Sequence, residues 1–502
     1  MNRSLARTLA ALLCALAPAA AFADYPPIPS FGEMEPAVDL SGPVSLQGCI
    51  GVALGRNFTV RIQEFSVFEA SDAVEVQKAA FEPVFNAAVN KQVTQQASDV
   101  LEEFGIIPYS ETETASFNVD DTLVTGATLQ AGYSMERSSY NPSFPPNPAF
   151  ASSASITVTQ PLLAGGWSDY NKAEVERARL GVRISNLNFK SAVLTMVLNV
   201  ETTYYNLLYQ REQYKVQAEE LKQAQQLLDE NTLKRQTGTL TDLDVMNARA
   251  GVASAQNQLI LDGQAVRNSE DSLLQLLGDK AFTTTVGDVA FPDIGEPEVS
   301  FARSYRLARE DGPNLPAAQA AIDQFKLDAL RAKRNTLPTL NVTGGLGYNS
   351  FAATAGQSIT GSWGGYNWVG GLTLTVPWGL HANKALYHQA ESQVRSQEVA
   401  YDQADQQLLV SVRSAVRAVD TGKDSVRSSA ENTQYAQKAY DLTKAQFDAG
   451  LATSYLVLQS QNTLESARVS ELQAKVSLLL AIANLRFLEG SSLQLYHINL
   501  PE

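Results

Sequence analysis

Two short stretches, Leu233-Lys-Arg-Gln-Thr-Gly238 and Phe447-Asp-Ala-Gly450, decide the fold of this 502-residue chain because they mark the same point in two copies of one pattern. Their glycines lie 212 positions apart, and Gly278 and Gly490 repeat that interval. In each copy 39 residues separate the first glycine from the second. Insertions would break the register of helices packed side by side, so the constant spacing predicts an internal structural repeat made of such helices.

Each copy predicts a long helical hairpin that turns at its first glycine. Residues 172–277 and 384–488 are rich in Ala, Gln, Leu and Glu and contain no proline, which favours helix. Apolar residues recur every seven positions over residues 193–228, the periodicity of a coiled coil. A single amphipathic helix on a globular core would explain this stripe but not the length of the segment. The hairpins should therefore occupy residues 168–277 and 382–489.

The helix lengths predict additional short helices. In each copy a run of 66 residues leads to the first glycine, and a helix of that length spans roughly 100 Å, whereas the following 39 residues span roughly 60 Å. Helices of about 22 residues, roughly 33 Å long, would cover most of the difference. Residues 59–81 and 316–337 suit this role. We therefore expect two shorter helices to lie end to end beside each long one.

Alternating apolar and polar residues predict β-strands between the short and the long helices of each copy. The pattern covers residues 368–376 and 340–348 in the second copy, and 155–159 and 123–135 in the first. Such strands are about as long as the 9–11 residues that cross a bilayer. Beyond Ala23 no apolar run is long enough for a spanning helix, so any membrane crossing should be made by strands.

The first copy contains extra sequence beside its strands. The segment 84–122 has no counterpart after Pro338. Residues 84–96 form a candidate strand, and residues 111–120 with 123–135 form a candidate added hairpin. Two strands per copy would give four, whereas single-chain barrels need at least eight, and an open sheet in lipid leaves its edge groups unpaired. Several chains should therefore share one barrel, while the number of strands stays open.

These segments give the predicted organisation of the chain. A signal peptide (residues 1–23) and an N-terminal extension (24–44) precede repeat 1 (45–278). A linker (279–300) leads to repeat 2 (301–490), and a C-terminal tail (491–502) ends the sequence. Within repeat 1, short helices at 45–81 precede strands and the insertion at 84–160. Within repeat 2, short helices at 301–337 precede strands at 339–377.

All four tryptophans lie in or beside the predicted strands: Trp167, Trp363, Trp368 and Trp378. An aromatic ring favours the boundary between membrane and water because one edge can be hydrated while the rest is buried, and aromatic girdles are typical of outer-membrane barrels. We therefore predict that these side chains lie at the membrane interface. Core aromatics of a soluble β-sandwich are the alternative.

The start of the chain, from Met1 to Ala23, has the layout of a secretory signal peptide. Arg3 and Arg7 precede an apolar run over residues 9–17, and Ala21-Phe22-Ala23 forms a cleavage site before Asp24. A retained membrane anchor is the alternative, but the apolar run is shorter than the roughly 20 residues of a spanning helix.

The remainder of the chain is acidic and has a single cysteine. Removing two arginines from the 38 basic residues leaves 36 against 53 acidic ones, a net charge of −17, which disfavours nucleic acid as a partner. Cys49 is then the only cysteine, so no internal disulfide is expected. Cys14 lies inside the apolar run, and lipid attachment there is not expected.

The paired tips, the strand exits and the export signal together resemble the TolC-like outer-membrane efflux protein family. The tips continue through Val245-Met-Asn-Ala-Arg249 and Val457-Leu-Gln459, the strands exit at Thr159-Gln160-Pro161-Leu162 and Thr375-Val376-Pro377-Trp378, and Pro83 and Pro338 precede the strand regions. The resemblance covers roughly residues 45–490.

This resemblance implies a fold, a location and partners. The fold would be mixed α and β, with a long α-helical coiled-coil barrel in the periplasm continuous with a twelve-stranded transmembrane β-barrel that the protomers of a homotrimer share. The protein would be a passive channel-tunnel in outer-membrane lipid. Its partners would be a periplasmic adaptor (membrane fusion) protein and an inner-membrane transporter of the RND or ABC type, in tripartite efflux or type I secretion.

The resemblance also assigns roles near the tips, with adaptor contacts implied at Gly238, Thr239, Leu240, Gly450 and Leu451. Some relatives close the pore with acidic rings six and nine positions after the tip glycine of the second copy. Those positions here are Leu456 and Gln459. The acidic residues of those relatives are therefore absent from these two positions.

Two kinds of pore closure fit these residues. With Val457 beside Leu456, an apolar constriction would gate by dewetting. Asp242 and Asp244 offer the other, because a threefold ring of carboxylates would favour cations. Helix packing is the alternative role for Leu456 and Val457, and solvated turn residues are the alternative for the aspartates. Whether the gate is apolar or acidic stays open.

The sequence has no recognisable catalytic or metal site. His381, His388 and His497 are the only histidines, and a metal site would need more ligands near the first two. Phosphate-loop and nucleophile-elbow motifs are absent, so we predict no enzyme activity, no cofactor and transport energy supplied by partners. The alternative function is a non-channel periplasmic coiled-coil scaffold protein, and the sequence does not identify the exported substrate.

Overall fold

The computed structural model describes residues 42–95, 109–141, 147–279, 286–292, 299–360 and 364–500. The predicted signal peptide and residues 24–41 lie outside these ranges. The helices are α1 (Leu46–Arg56), α2 (Phe58–Lys78), α3 (Ser168–Gln236), α4 (Asp242–Leu276), α5 (Phe301–Glu310), α6 (Asn314–Arg334), α7 (Ala355–Thr360), α8 (His381–Asp448), α9 (Ser454–Glu489) and α10 (Ser492–Leu495). The strands are β1 (Val84–Gln95), β2 (Tyr109–Thr122), β3 (Thr128–Asn141), β4 (Ala149–Pro161), β5 (Thr339–Ala352) and β6 (Gly365–Thr375).

Two long helices run through most of the molecule. α3 has 69 residues and α8 has 68, so each is roughly 100 Å long. α4, with 35 residues, packs back along α3, and α9, with 36, packs back along α8. α2 packs on α3, while α6 packs on both α3 and α8. None of the helices within the described ranges is long and apolar enough to cross a membrane.

The second glycine of each copy ends a helix against a short helix. Gly278 follows α4 with φ of 71°, and a Cβ atom there would lie 2.8 Å from the carbonyl oxygen of Arg56. Gly490 follows α9 with φ of 73°, and a Cβ atom there would lie 2.9 Å from the carbonyl oxygen of Asp311. Both positions combine a left-handed backbone with a close approach, which only glycine provides without strain.

Asn57 connects the end of α4, next to Gly278, to the start of α2. Its Nδ2 donates a 3.1 Å hydrogen bond to the carbonyl of Leu276 at the end of α4. Its Oδ1 accepts from the backbone N–H groups of Thr59 and Val60, which makes it the N-cap of α2. One side chain therefore starts α2 and ties it to α4, so these two helices lie end to end along α3.

The largest apolar core surrounds the middle of α3. Val193, Val200 and Leu207 of the predicted stripe are fully buried there, together with Ile50 of α1 and Leu273 of α4. Burying such side chains stabilises a fold by roughly 1.5–3 kcal/mol each. This cluster holds α1, α3, α4 and α9 together.

The stripe changes register after Leu207. Tyr214, the next predicted position, is exposed, and burial resumes at Gln217, Ala224 and Asn231. These three residues keep the spacing of seven but are displaced by three positions, which is a stammer and turns a new helix face toward the partners. The prediction of one continuous stripe is therefore wrong for the part of α3 nearer the tip.

The strands form one antiparallel sheet in the order β1-β2-β3-β4-β5-β6. Repeat 1 supplies four of them, so the estimate of two strands per copy is wrong for this half. The additional segment at residues 84–122 contains β1 and β2, which pair with each other, and β2 also pairs with β3. Within the described residues β1 and β6 each have one neighbouring strand.

The sheet has one apolar and one polar face, because side chains alternate along each strand and the register aligns them. The apolar face includes Phe85, Val89, Val93, Phe117, Val119, Leu129, Tyr133, Ile156, Val158, Leu346, Tyr348, Trp368, Leu372 and Leu374. The polar face includes Asn86, Asn90, Asn118, Ser116, Thr114, Ser134, Gln130, Ser153, Thr157, Asn341, Thr343, Asn367 and Thr373. Many side chains of the apolar face are exposed.

Candidate functional site

Both helical hairpins turn at the predicted tip glycines. Gly238 has φ of 80° and Gly450 has φ of 76°. The N–H groups of the residues that follow, Thr239 and Leu451, donate to carbonyls of the preceding helices at 2.9 and 2.8 Å. A Cβ atom at either glycine would meet nothing within 4 Å. Glycine is therefore needed at the tips for its backbone conformation and not for space.

The aspartates near the first tip have partners within the turn. Thr241 and Asp244 form a capping box at the start of α4, in which the Asp244 carboxylate accepts from the N–H of Thr241 at 3.0 Å and from its hydroxyl at 2.6 Å. Asp242 lies 2.5 Å from Arg235 of α3. Both carboxylates therefore make contacts at the turn between α3 and α4. This favours the alternative interpretation of the sequence, that the two aspartates are turn residues.

The two apolar gate candidates occupy different environments. Val457 is 1% exposed and belongs to a small cluster with Leu227 of α3 and Phe447 of α8. Leu456 is 46% exposed. Because side chains at adjacent helical positions point in different directions, they do not form one surface. Val457 therefore packs between helices, and Leu456 remains on the surface together with Gln459, which lines a polar groove between α8 and α9.

Further exposed apolar side chains surround the tips. Leu451, a predicted adaptor contact, is exposed, whereas Leu240 is half-buried against the small cluster. Leu243, Met246 and Tyr455 are also exposed, and sequence reasoning did not single them out. Spacing carries the signal for the first two: Leu243 and Met246 are three residues apart in α4, so they lie on one helix face. We call the exposed apolar side chains of Leu243, Met246, Leu451 and Tyr455 the tip surface.

Three contacts tie the two hairpins together just behind this surface. Lys234 lies 3.6 Å above the ring of Phe447, a cation–π arrangement. Lys444 donates to Glu230 at 3.0 Å. Burial lowers the pKa of Lys444, but the Glu230 carboxylate outweighs burial and holds that pKa above its ordinary value. These contacts join the end of α3 to the end of α8, the corresponding helix ends of the two repeats.

The third contact is buried. Asn231, which is fully buried, donates through Nδ2 to the hydroxyl of Ser454 at 2.6 Å and to the carbonyl of Asp244 at 3.3 Å. It therefore connects α3 with the first turns of both α4 and α9. A polar residue at the meeting point of three helices fixes their register more than it adds stability.

The predicted interface tryptophans lie at two levels of the sheet. Trp368 is exposed on the apolar face opposite Leu346 in the register. Trp167 and Trp378 are exposed where the sheet meets the helices, and Trp167 lies 4.8 Å from the guanidinium of Arg334. Trp363 lies outside the described residues.

Four charged side chains interrupt the apolar face on β1, β2 and β3. Lys91 and Arg137 flank Glu113 at 3.1 and 3.2 Å. Arg137 lies 3.7 Å from Glu111, which Lys91 also contacts. The two positive and two negative charges compensate each other, which offsets part of the cost of removing them from water. Among the described residues no group of three or more His, Cys, Asp or Glu side chains could hold a metal ion.

Comparisons with known proteins agree with this architecture. The sequence model of a family described as outer membrane efflux protein matches residues 49–279 and 304–491. The pyoverdine export outer membrane protein OpmQ of Pseudomonas putida is 27% identical over 307 residues, 59% of this chain, and the matched part spans 64% of that relative. Outer membrane protein TolC of Escherichia coli is 23% identical over 359 residues, 68% of this chain and 70% of TolC.

The fold also matches solved structures of outer-membrane channels. The structure of the channel OprN superposes with a TM-score of 0.69 at 14% identity and covers 89% of both chains. At this identity the match shows the fold alone. Together the comparisons confirm the resemblance inferred from the paired tips, the predicted outer-membrane location and the prediction of a transport protein that is not an enzyme.

Proposed function

This chain belongs to the outer membrane efflux protein family, and from that premise we propose that it forms a passive channel-tunnel leading from the periplasm and an inner-membrane pump to the exterior. The observation that carries the proposal is the continuity of a two-faced sheet with helices roughly 100 Å long. Lipid suits the apolar face of the sheet and water suits the polar face. β4 leads into α3 and β6 leads into α8, so one wall would pass from membrane to periplasm.

The channel is proposed to be a homotrimer with an internal repeat in each chain. A sheet with two open edges leaves backbone groups unpaired in lipid at a cost of several kcal/mol each, so a single chain does not suffice. Copies arranged around one axis would close the sheet into a barrel. Their long helices would continue it as a coiled-coil barrel in the periplasm.

The tip surface is the proposed docking site for a periplasmic adaptor protein. Its exposed apolar side chains lie at the end of the molecule remote from the sheet, and a cluster of that kind marks protein contacts. Gly238, Thr239, Leu240 and Gly450 shape the turns beneath it. An inner-membrane transporter of the RND or ABC type would supply energy, and the name of the OpmQ relative, a pyoverdine export protein, supports efflux.

We assign the resting closure to Leu456. Among the five candidate residues it is the exposed apolar one, and three copies around an axis would form an apolar ring that repels ions by dewetting. Asp242 and Asp244 are engaged within the first tip, and Val457 is engaged in packing. Gln459 lies one helical turn from Leu456 and would line the same passage.

Purification from outer membranes tests this proposal against the scaffold alternative. Light scattering in detergent should give the mass of three chains, and insertion into planar bilayers should give discrete conductance steps. Cell fractionation should place the protein with the outer membrane. A soluble periplasmic monomer that produces no conductance steps would instead establish the coiled-coil scaffold.

A further inference from the structure

We propose that the barrel of the homotrimer has eighteen strands, three chains of six, and that β1 of each chain pairs with β6 of the next. The inference rests on the proposed homotrimer. It departs from the twelve strands that the family resemblance implies. The difference is the β1–β2 hairpin, which becomes both a part of the barrel wall and the contact between protomers.

The hairpin is an integral part of the sheet. β1 pairs with β2 over the full length of β1, from Val84 opposite Asp120 to Gln95 opposite Tyr109. β2 then pairs with β3 from Tyr109 to Thr122. A segment that merely covered the pore or the outer surface would not share a continuous hydrogen-bonded ladder with β3.

Side chains join the hairpin to β3 on the apolar face and join the two strands of the hairpin to each other on the polar face. On the apolar face Glu113 of β2 contacts Lys91 of β1 and Arg137 of β3, so one carboxylate joins three strands. On the polar face Asn86 donates to Asp120 at 3.0 Å. Contacts between ionised groups strengthen where water is excluded, so they favour this pairing most strongly in lipid.

The two open edges complement each other. β1 has 12 residues and β6 has 11. β1 leaves the helical end of the molecule and β6 returns to it, so β1 of one chain and β6 of the next would run antiparallel, as all neighbouring strands in this sheet do. Antiparallel pairing of equal edges leaves no backbone group unpaired in the membrane.

The faces of the sheet also continue across this contact. Phe85, Val89 and Val93 of β1 share the apolar face with Trp368, Leu372 and Leu374 of β6, and all six are exposed in the single chain. A shift of one residue would move every side chain to the wrong face, so the pairing is restricted to registers that keep these residues on one side.

The added strands have a consequence for the pore. Barrel diameter grows roughly linearly with strand number, so eighteen strands give a barrel about 1.5 times as wide as twelve, in the range of porins with an aqueous channel. The outer end of the tunnel would then be wide, and resistance to flow would be concentrated at the tips.

Disulfide cross-linking in the full-length protein tests the pairing. The inter-chain pairs combine Asn90→Cys on β1 with a cysteine on the polar face of β6, at Asn367, Val369, Gly371 or Thr373. Registers that keep the faces aligned differ by two residues, so these four consecutive polar-face positions cover the registers in which the two edges overlap most. Burial raises the pKa of the native Cys49 thiol to about 11, so the parent chain is an unreactive control.

Matched pairs distinguish the alternative barrel. If the hairpin lay outside the wall, β3 would become the edge strand, and Ser134→Cys combined with the same β6 positions would cross-link instead. Ser116→Cys with Ser134→Cys reports on the hairpin within one chain, since these residues are opposite each other in the register. All variants are oxidised in native outer membranes and compared with and without reductant.

The expected result is loss of most of the monomer band for at least one Asn90 pair, formation of the Ser116–Ser134 disulfide, and no inter-chain product for Ser134 pairs. Cross-linking through Ser134, or no inter-chain product from any pair, overturns the eighteen-stranded barrel. Light scattering on the parent protein separates the two proposals. A trimeric mass with negative Asn90 pairs leaves the proposed function intact, whereas a monomeric mass removes both.

Discussion

The middle of α3 and its part nearer the tip have the same sevenfold spacing but different interiors. In the middle, Val193, Val200 and Leu207 are buried among apolar side chains. Nearer the tip, Gln217 and Asn231 occupy the corresponding buried positions on either side of Ala224. An apolar core supplies stability, whereas a buried polar core supplies register at a cost in stability. We infer that the middle of α3 is held stably in the apolar core, whereas the part of α3 nearer the tip rearranges at a lower cost in free energy.

Within the described ranges, more buried polar atoms lack a partner on the tip side than in the middle of α3, where Glu201 Oε2 is one. Asn231 Oδ1, Gln461 Oε1 and Asp262 Oδ2 are buried and have no hydrogen-bond partner among the described residues. All three lie between α3, α4 and α9 on the tip side of the apolar core. Each unpaired group lowers stability by roughly 1–3 kcal/mol. The part of the coil next to the proposed gate is therefore the less stable part.

Removing volume from the apolar middle should produce the largest effect. We expect Leu207→Ala to lower the free energy of unfolding by about 2–5 kcal/mol, because the side chain is fully buried and leaves a cavity. Circular dichroism melting of the detergent-solubilised protein measures the loss. Leu233→Ala, at an exposed position nearer the tip, is the control and should stay within about 0.5 kcal/mol of wild type. Equal losses would contradict the comparison.

Alanine substitutions at Gly278 and Gly238, which have similar backbone conformations, should differ in stability by less than the Leu207 and Leu233 variants do. A side chain in the left-handed conformation costs roughly 1–2 kcal/mol at both sites, but Gly278→Ala also places Cβ 2.8 Å from the Arg56 carbonyl, whereas Gly238→Ala meets open space. The melting temperature should fall further for Gly278→Ala. Gly238→Ala should instead reduce cross-linking to the adaptor. Identical melting curves would show that α1, α2 and α4 can shift at little cost to make room for the added Cβ atom at residue 278.

On the tip side of the core, Glu220 should make stability depend on pH. Burial, followed by repulsion from Glu465, raises the pKa of Glu220 to about 7, although Arg468 opposes this. Since the folded pKa lies above the ordinary value of 4.5, the stabilising contribution of protonated Glu220 is fully present below about pH 4.5 and is lost as the pH rises through about 7. Glu220→Gln should remove this dependence.

Melting temperatures recorded from about pH 5 to about pH 8 measure this effect. Wild type should lose stability relative to Glu220→Gln across the upper part of that interval. Glu219→Gln changes the neighbouring exposed carboxylate and should follow wild type. A Glu220→Gln variant that declines in parallel with wild type would assign the pH dependence to other groups.

The gate substitution should affect stability least, so conductance is its measure. Leu456→Ser should raise the resting conductance several-fold in planar bilayers without adaptor, because a polar ring holds water in a narrow pore. Asp244→Asn should leave the channel closed, since that carboxylate caps α4. Asp244→Asn channels that conduct at rest, together with closed Leu456→Ser channels, would identify an acidic gate.

Local sequence predicted much of the helical architecture and the tips. Gly238 and Gly450 directly follow helix ends and adopt positive φ, and this requirement is legible because glycine alone tolerates it at no cost. The spacing also identified Gly278 and Gly490, but it did not show why glycine is required there. In each case a backbone carbonyl at the end of a helix from a distant part of the chain leaves no room for a Cβ atom.

The strand number and the roles of the gate candidates depended on the tertiary structure. Alternation shows that a segment is a strand but not which strand it joins, so β1 and β2 could be counted only once their pairing with β3 was known. A sevenfold stripe likewise does not reveal a change of partner such as the one after Leu207. Leu456 and Val457 look equivalent in sequence, yet helices from elsewhere bury only Val457. Sequence by itself determined backbone conformation and periodicity because these are local properties. The choice of neighbour is a non-local property, and only the tertiary structure decided it.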